Sequence, residues 1–95
     1  MYARITTYRC DPSRLDDLIA KLDEIKAQVK AISGVVDVYS AWRADGSGVT
    51  TAIYESQAAA EAATSQVQAV WANLTELLMG SPNAKTCENV VHITA

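Results

Sequence analysis

The sequence predicts an α+β fold of the ferredoxin-like kind, β-α-β-β-α-β, in which a four-stranded antiparallel sheet carries two helices on one face. Three observations predict it. Two segments repeat apolar residues at helical spacing, four short segments are rich in Val, Ile, Thr and Tyr, and one Asp-Gly turn joins the middle pair of these. The 95 residues make one domain, 1–95, and leave no room for a second.

Tyr2 to Cys10 reads as the first strand. Asp11-Pro12-Ser13 opens the first helix, either with Asp11 as cap and Pro12 in the first turn, or with Ser13 as cap and Asp16 three residues on. Leu15, Leu18, Ile19, Leu22, Ile25, Val29 and Ile32 form one stripe, and the charged residues between them make a solvated face. Ser33-Gly34 ends this helix, because glycine takes the left-handed conformation beyond a last turn. Val35 to Ala44 is the second strand, Asp45-Gly46-Ser47-Gly48 the hairpin turn and Val49 to Glu55 the third strand. Ser56 caps a second helix that begins with an alanine run and continues through Val67, Val70, Trp71, Leu74, Leu77 and Leu78 to Gly80 and Pro82. Cys87 to Thr94 is expected as the last strand.

Composition narrows the functional classes. Eight basic and eleven acidic residues give a net charge of −3, which excludes a strongly basic nucleic-acid binder. No stretch is apolar enough to span a membrane and no signal peptide opens the chain, so a cytoplasmic protein is expected. Sixteen alanines dilute an apolar fraction of 49%, and Phe is absent. A single copy is therefore expected to be marginally stable, and a second copy is the simplest remedy. Cys10 and Cys87 have no metal-ligand spacing and read as reduced thiols. Alternation on adjacent strands turns them to opposite faces, so no disulfide is expected. Walker, dinucleotide-binding and Ser-His-Asp patterns are absent, and neither cofactor nor metal is expected.

Strand alternation divides the sheet residues into two sets. Ile5, Thr7, Val36, Val38, Ser40, Thr51, Ile53, Val91 and Ile93 suit packing under the helices. Tyr2, Arg4, Thr6, Tyr8, Asp37, Tyr39, Ala41, Arg43, Thr50, Ala52, Tyr54, Val90, His92 and Thr94 fall on the uncovered face. All four tyrosines and the single histidine share that second set. Two such faces packed together would shelter the rings and leave the hydroxyls for hydrogen bonds or a ligand. The candidate catalytic residues are His92, as a base near neutral pH, and Arg4, as a stabiliser of a developing oxyanion. Tyr8, Tyr39 and Tyr54 are candidates for binding a planar aromatic substrate. Each has a plainer alternative: His92 and the tyrosines as packing in a subunit contact, and Arg4 as half of an ion pair. Arg43 lies near the exposed hairpin, Asp37 suits a salt bridge, and Trp71 has the spacing of a core residue.

With Ser33-Gly34-Val35-Val36 entering the second strand and Ile53-Tyr54-Glu55-Ser56 leading into an alanine-rich helix, the chain resembles the dimeric α/β-barrel superfamily. Within it, the resemblance is to the antibiotic biosynthesis monooxygenase-like family, over nearly the whole chain. That resemblance implies a homodimer whose two sheets face each other as a barrel, with a pocket between sheet and helices or within the barrel. It also implies oxygenation of a small aromatic or polyketide-like substrate without metal or flavin. The haem-degrading branch carries an Asn on the first strand and a Trp and a His on the second helix. Here Thr6 and Thr7 stand on the strand and no His follows Trp71, so haem degradation does not fit. A non-catalytic dimer that binds a small ligand or assembles with other proteins is the alternative reading.

Overall fold

The computed structural model describes residues 1–95. Its strands are β1 (Tyr2–Arg9), β2 (Val35–Trp42), β3 (Ser47–Tyr54) and β4 (Asn83–Cys87), and its helices are α1 (Leu15–Lys30), α2 (Gln57–Ala62) and α3 (Thr64–Ala72). The four strands form one antiparallel sheet in the order β2-β3-β1-β4. The predicted ferredoxin-like α+β plan is the fold of the chain.

Local chemistry accounts for the joints. Asp11 accepts hydrogen bonds from the Ser13 amide and hydroxyl and caps a 3-10 turn, Pro12–Arg14, that leads into α1, so the Asp11-Pro12 scheme opens the segment while α1 itself has no side-chain cap. α1 buries Leu18 and Ile25, and Ile32 is buried just beyond its end. Gly34 takes φ +84°, and a Cβ there would stand 2.6 Å from the Ala59 side chain, so glycine permits both the turn and the approach of α2. Asp45 ties the hairpin by accepting from the Ser47 amide and hydroxyl.

Three expectations need correction. The last strand is Asn83–Cys87, not Cys87–Thr94, because β1 takes its partner from Ala84-Lys85-Thr86 as soon as the chain leaves the helical layer. Residues 88–95, although rich in β-branched side chains, lie beyond the sheet with Val91 and Ile93 80% and 90% exposed. The second helix is divided: α2 ends at Ala62 with Ala63 as its cap, α3 begins at Thr64, and a single 3-10 turn at Thr75–Leu77 completes the segment. Ala60 and Ala63 are both buried at this break, where small side chains allow close approach to the layers below.

The third correction concerns the faces. In β1 and β3 the expected assignment is reversed: Tyr8 and Tyr54 belong to the core with Leu18, Ile25, Val70, Leu74 and Leu77, and Tyr2 and Ala52 pack against it. Gly48 explains part of this reversal. It sits opposite Tyr8 in the register, and a Cβ on it would meet the Tyr8 ring at 2.3 Å. The missing side chain makes the space in which a tyrosine, rather than an aliphatic residue, fills the layer beneath the helices. β2 keeps the expected facing beyond a register shift between Val35 and Asp37, with Tyr39 paired to Thr51 and Ser40 to Thr50. The uncovered face therefore carries Ile5, Val49, Thr51, Ile53 and Tyr39, not a gathering of tyrosines.

Candidate functional site

A groove of about 520 Å³ lies between the sheet and α3. β1 contributes Arg4 and Thr6, two residues apart and so on the same face, and β4 adds Ala84. From α3, Thr64, Val67, Gln68, Trp71 and Ala72 form the opposite wall, at the three- and four-residue steps that align on one helix face. Thr75 and Pro82 close one end. The groove exists because β4 is an edge strand whose side chains are all exposed, so the helical layer leaves that side of the sheet uncovered.

Arg4 is the one charged side chain on these walls. It takes part in none of the three ion pairs of the chain, all of which lie on α1 or at its start. Its guanidinium rests on the Tyr54 ring, with the central carbon 5.7 Å from the ring centroid. Burial pushes the Tyr54 hydroxyl above its ordinary pKa, and the nearby Arg4 charge pulls it partly back. Thr6 is only 4% exposed and lines the groove, and no buried side-chain polar atom of the chain is left without a partner. Trp71 faces the groove and also meets the Tyr8 ring, with centroids 5.8 Å apart at an angle of 56°. Tyr8 in turn is anchored through its hydroxyl to Ser40 at 2.9 Å, and Thr50 donates to the same Ser40 oxygen at 3.0 Å. Burial raises the Tyr8 pKa despite that bond. The groove wall thus rests on a half-buried hydroxyl chain, which anchors Tyr8 of the aromatic pair.

Of the residues singled out from sequence, Arg4 is in the groove, and Tyr54 and Tyr8 stand directly behind it. Tyr39 is on the opposite face of the sheet and 69% exposed. His92 is in the exposed C-terminal segment, outside the sheet. The structure therefore sets Arg4 on Tyr54 and, further along β1, Tyr8 on Trp71, and puts Tyr39 on the opposite face. Thr6, Gln68 and the groove-facing role of Trp71 were not apparent from sequence as site features. Gly48 opposite Tyr8 was the available signal, since it fixes which face of β1 lies beneath the helices. Cys10 is buried, Cys87 is exposed, and both are free. They lie at opposite ends of β1, because Cys87 pairs with Ala3 while Cys10 bridges to Leu78. No group of three or more His, Cys, Asp or Glu side chains is arranged to hold a metal ion. No helix is long and apolar enough to cross a membrane.

No protein-family model and no curated protein matches the sequence. Solved structures do match the fold. A Nitrosomonas europaea protein of unknown function superposes with a TM-score of 0.78 at 18% identity, covering 95% of this chain and 89% of the other. A Caulobacter crescentus protein, provisionally described as an antibiotic biosynthesis monooxygenase, gives 0.78 at 17% identity, covering 95% and 90%. A Chloroflexus aurantiacus protein with the same provisional description gives 0.71 at 22% identity, covering 95% and 93%. The chain has the fold of antibiotic biosynthesis monooxygenase-like proteins over nearly its whole length.

Proposed function

We propose that the groove between the sheet and α3 binds a small aromatic substrate as its phenolate, and that the protein oxygenates it without a cofactor. The observation that carries this reading is Arg4: a guanidinium on the groove wall, with no carboxylate partner, resting on the buried Tyr54 ring and sharing the wall with an indole. Such a cation lowers the pKa of a bound phenol by favouring its charged form. An electron-rich phenolate can give one electron to dioxygen. The radical pair then joins through a carbon–oxygen bond, and the peroxide loses water to leave a ring carbonyl. All four electrons come from the substrate, two in forming the peroxide and two from the bond to hydrogen on the same carbon that breaks as the O–O bond cleaves; one oxygen atom stays in the product, and the other, with that hydrogen and a proton from solvent, leaves as water. With no acidic or imidazole side chain on the groove wall, the phenolic proton passes to solvent. In this reading Tyr8 and Tyr54 support the wall, and His92 has no part.

The uncovered sheet face is assigned to a second copy of the chain. Tyr39, Val36 and Val49 are exposed large side chains along it and its edge, and burying them against their equivalents would remove apolar area from water. Oxygen uptake with dihydroxynaphthalene and anthrone substrates tests the reaction. Uptake above the protein-free rate, abolished in Arg4→Met, is expected. Uptake equal to that rate across the panel would remove oxygenation. The absence of a base on the groove wall favours a second reading, ligand binding without chemistry, which predicts saturable binding of the same compounds with no uptake.

A further inference from the structure

We infer that residues 88–95 of one copy form an added strand along the β2 edge of a second copy. This rests on the second copy proposed for the open face, not on the groove or its reaction. Two unfinished pieces of β structure carry it. The first is the segment after β4. Val90, Val91, Ile93 and Thr94 give it the composition of a strand, yet it joins no sheet, and Val91 and Ile93 are 80% and 90% exposed. The second is the outer edge of β2, whose eight residues pair with β3 on one side only. Such an edge presents a row of backbone groups ready to pair with another strand.

Position and length keep the two pieces apart within one chain. Cys87 pairs with Ala3, and β1 has only Tyr2 beyond it in that direction, so the following residues run past the end of the sheet. The chain's own β2 is three strand spacings away, about 14 Å. Crossing that gap takes about four extended residues and leaves too few to fill the edge. In a second copy the whole segment is free to pair, and its eight residues span about 26 Å, the length of β2. The choice of edge follows from how each is protected. β4 has five residues, follows Pro82 and carries Lys85 at its centre, features that discourage further pairing. β2 has no Lys, Arg or Pro, and its one charge, Asp37, falls at the register shift near its start. Val91 and Ile93 share one side of the added strand by alternation. Turned to the open face, they extend the row of Ile5, Thr51 and Tyr39, the last of these 69% exposed. The strand contact is then continuous with the face contact and buries the same apolar surface.

Paramagnetic labelling between copies tests this. A thioether-linked nitroxide is placed on Ala95→Cys in a Cys87→Ser chain, since Cys87 is exposed and Cys10 buried. That chain is mixed at millimolar concentration with the unmodified chain enriched in nitrogen-15. Broadening of β2 amides in the enriched chain, with those of β4 spared, is the expected result. Broadening centred on β4, or on neither strand, would overturn the exchanged strand. Sedimentation of the full chain carrying Val91→Asp and Ile93→Asp is the second measurement. Both residues are exposed in the single copy, so its fold is untouched. The dimer dissociation constant should rise at least about tenfold. An unchanged constant would remove the exchanged strand while leaving the second copy on the open face. A wild-type chain that stays monomeric would remove both.

Discussion

At the scale of single residues, Gly48 and Tyr8 decide which side of the sheet is inside. Sequence alternation alone favours burying the aliphatic set Ile5, Thr51 and Ile53, because aliphatic burial is the usual driving force. The fold buries the tyrosines instead: the gap at Gly48 admits one ring, and the Ser40 hydroxyl satisfies its polar end. Gly48→Ala should therefore destabilise the fold by about 1–3 kcal/mol through overpacking, read as a lower urea midpoint. Gly80→Ala has φ +92° but open space around its Cβ, and should cost only about 1 kcal/mol of backbone strain. Cys10, Tyr8 and Tyr54 are all held protonated by burial, with pKa values above their ordinary 9.0, 10.0 and 10.0. Their stabilising effect is fully present below pH 9. Above it the unfolded thiol ionises before the folded one, and above pH 10 the unfolded phenols do the same, so stability falls as pH rises. Urea midpoints from pH 8 to 11 should decline from about pH 9 onward, and a flat profile would contradict this assignment.

At the scale of elements, most of the plan was legible. The α1 stripe, the Asp11-Pro12 start, the Gly34 stop and the Asp45-Gly46 turn each act through local chemistry, and each is where the sequence places it. The last strand was misplaced because β propensity says only that a segment would suit a sheet, and pairing decides whether it joins one. Residues 90–94 have the better composition, but Ala84-Lys85-Thr86 has the register with Arg4, Ile5 and Thr6. Hydrogen exchange should follow this pairing. Amides of β1 and β3, flanked on both sides, should be the slowest, β4 at the edge should be faster, and residues 88–95 of a monomer should exchange near the unfolded rate. Protection of 88–95 in the monomer equal to that of β1 would contradict it. The groove was illegible for the same reason as the faces: Arg4 and Thr6 meet Gln68 and Trp71 only after β1 is turned toward α3 and β4 is left at the edge.

At the scale of the whole molecule, the sheet is two-sided, with the groove beside α3 on one face and an apolar open face on the reverse. Only 14 of 95 residues are buried in a single copy, which is a thin core for the chain length and leaves the open face to contribute. If a second copy covers that face, Val49→Glu places a like charge against its equivalent and removes apolar contact. It should raise the dimer dissociation constant at least about tenfold in sedimentation, while leaving ligand binding in the groove intact. A wild-type chain that sediments as a monomer at millimolar concentration would contradict the dimer.

The central claim is that small aromatic anions enter beneath α3 and not on the opposite face. Backbone and indole nitrogen chemical shifts, followed while 6-hydroxy-2-naphthoate is added, test it most directly. Perturbations centred on Arg4, Thr6, Gln68 and the Trp71 indole, with Tyr39, Val49 and Thr51 unmoved, are the predicted result. Perturbations centred on Tyr39, Val49 and Thr51, or none at saturating ligand, would contradict it.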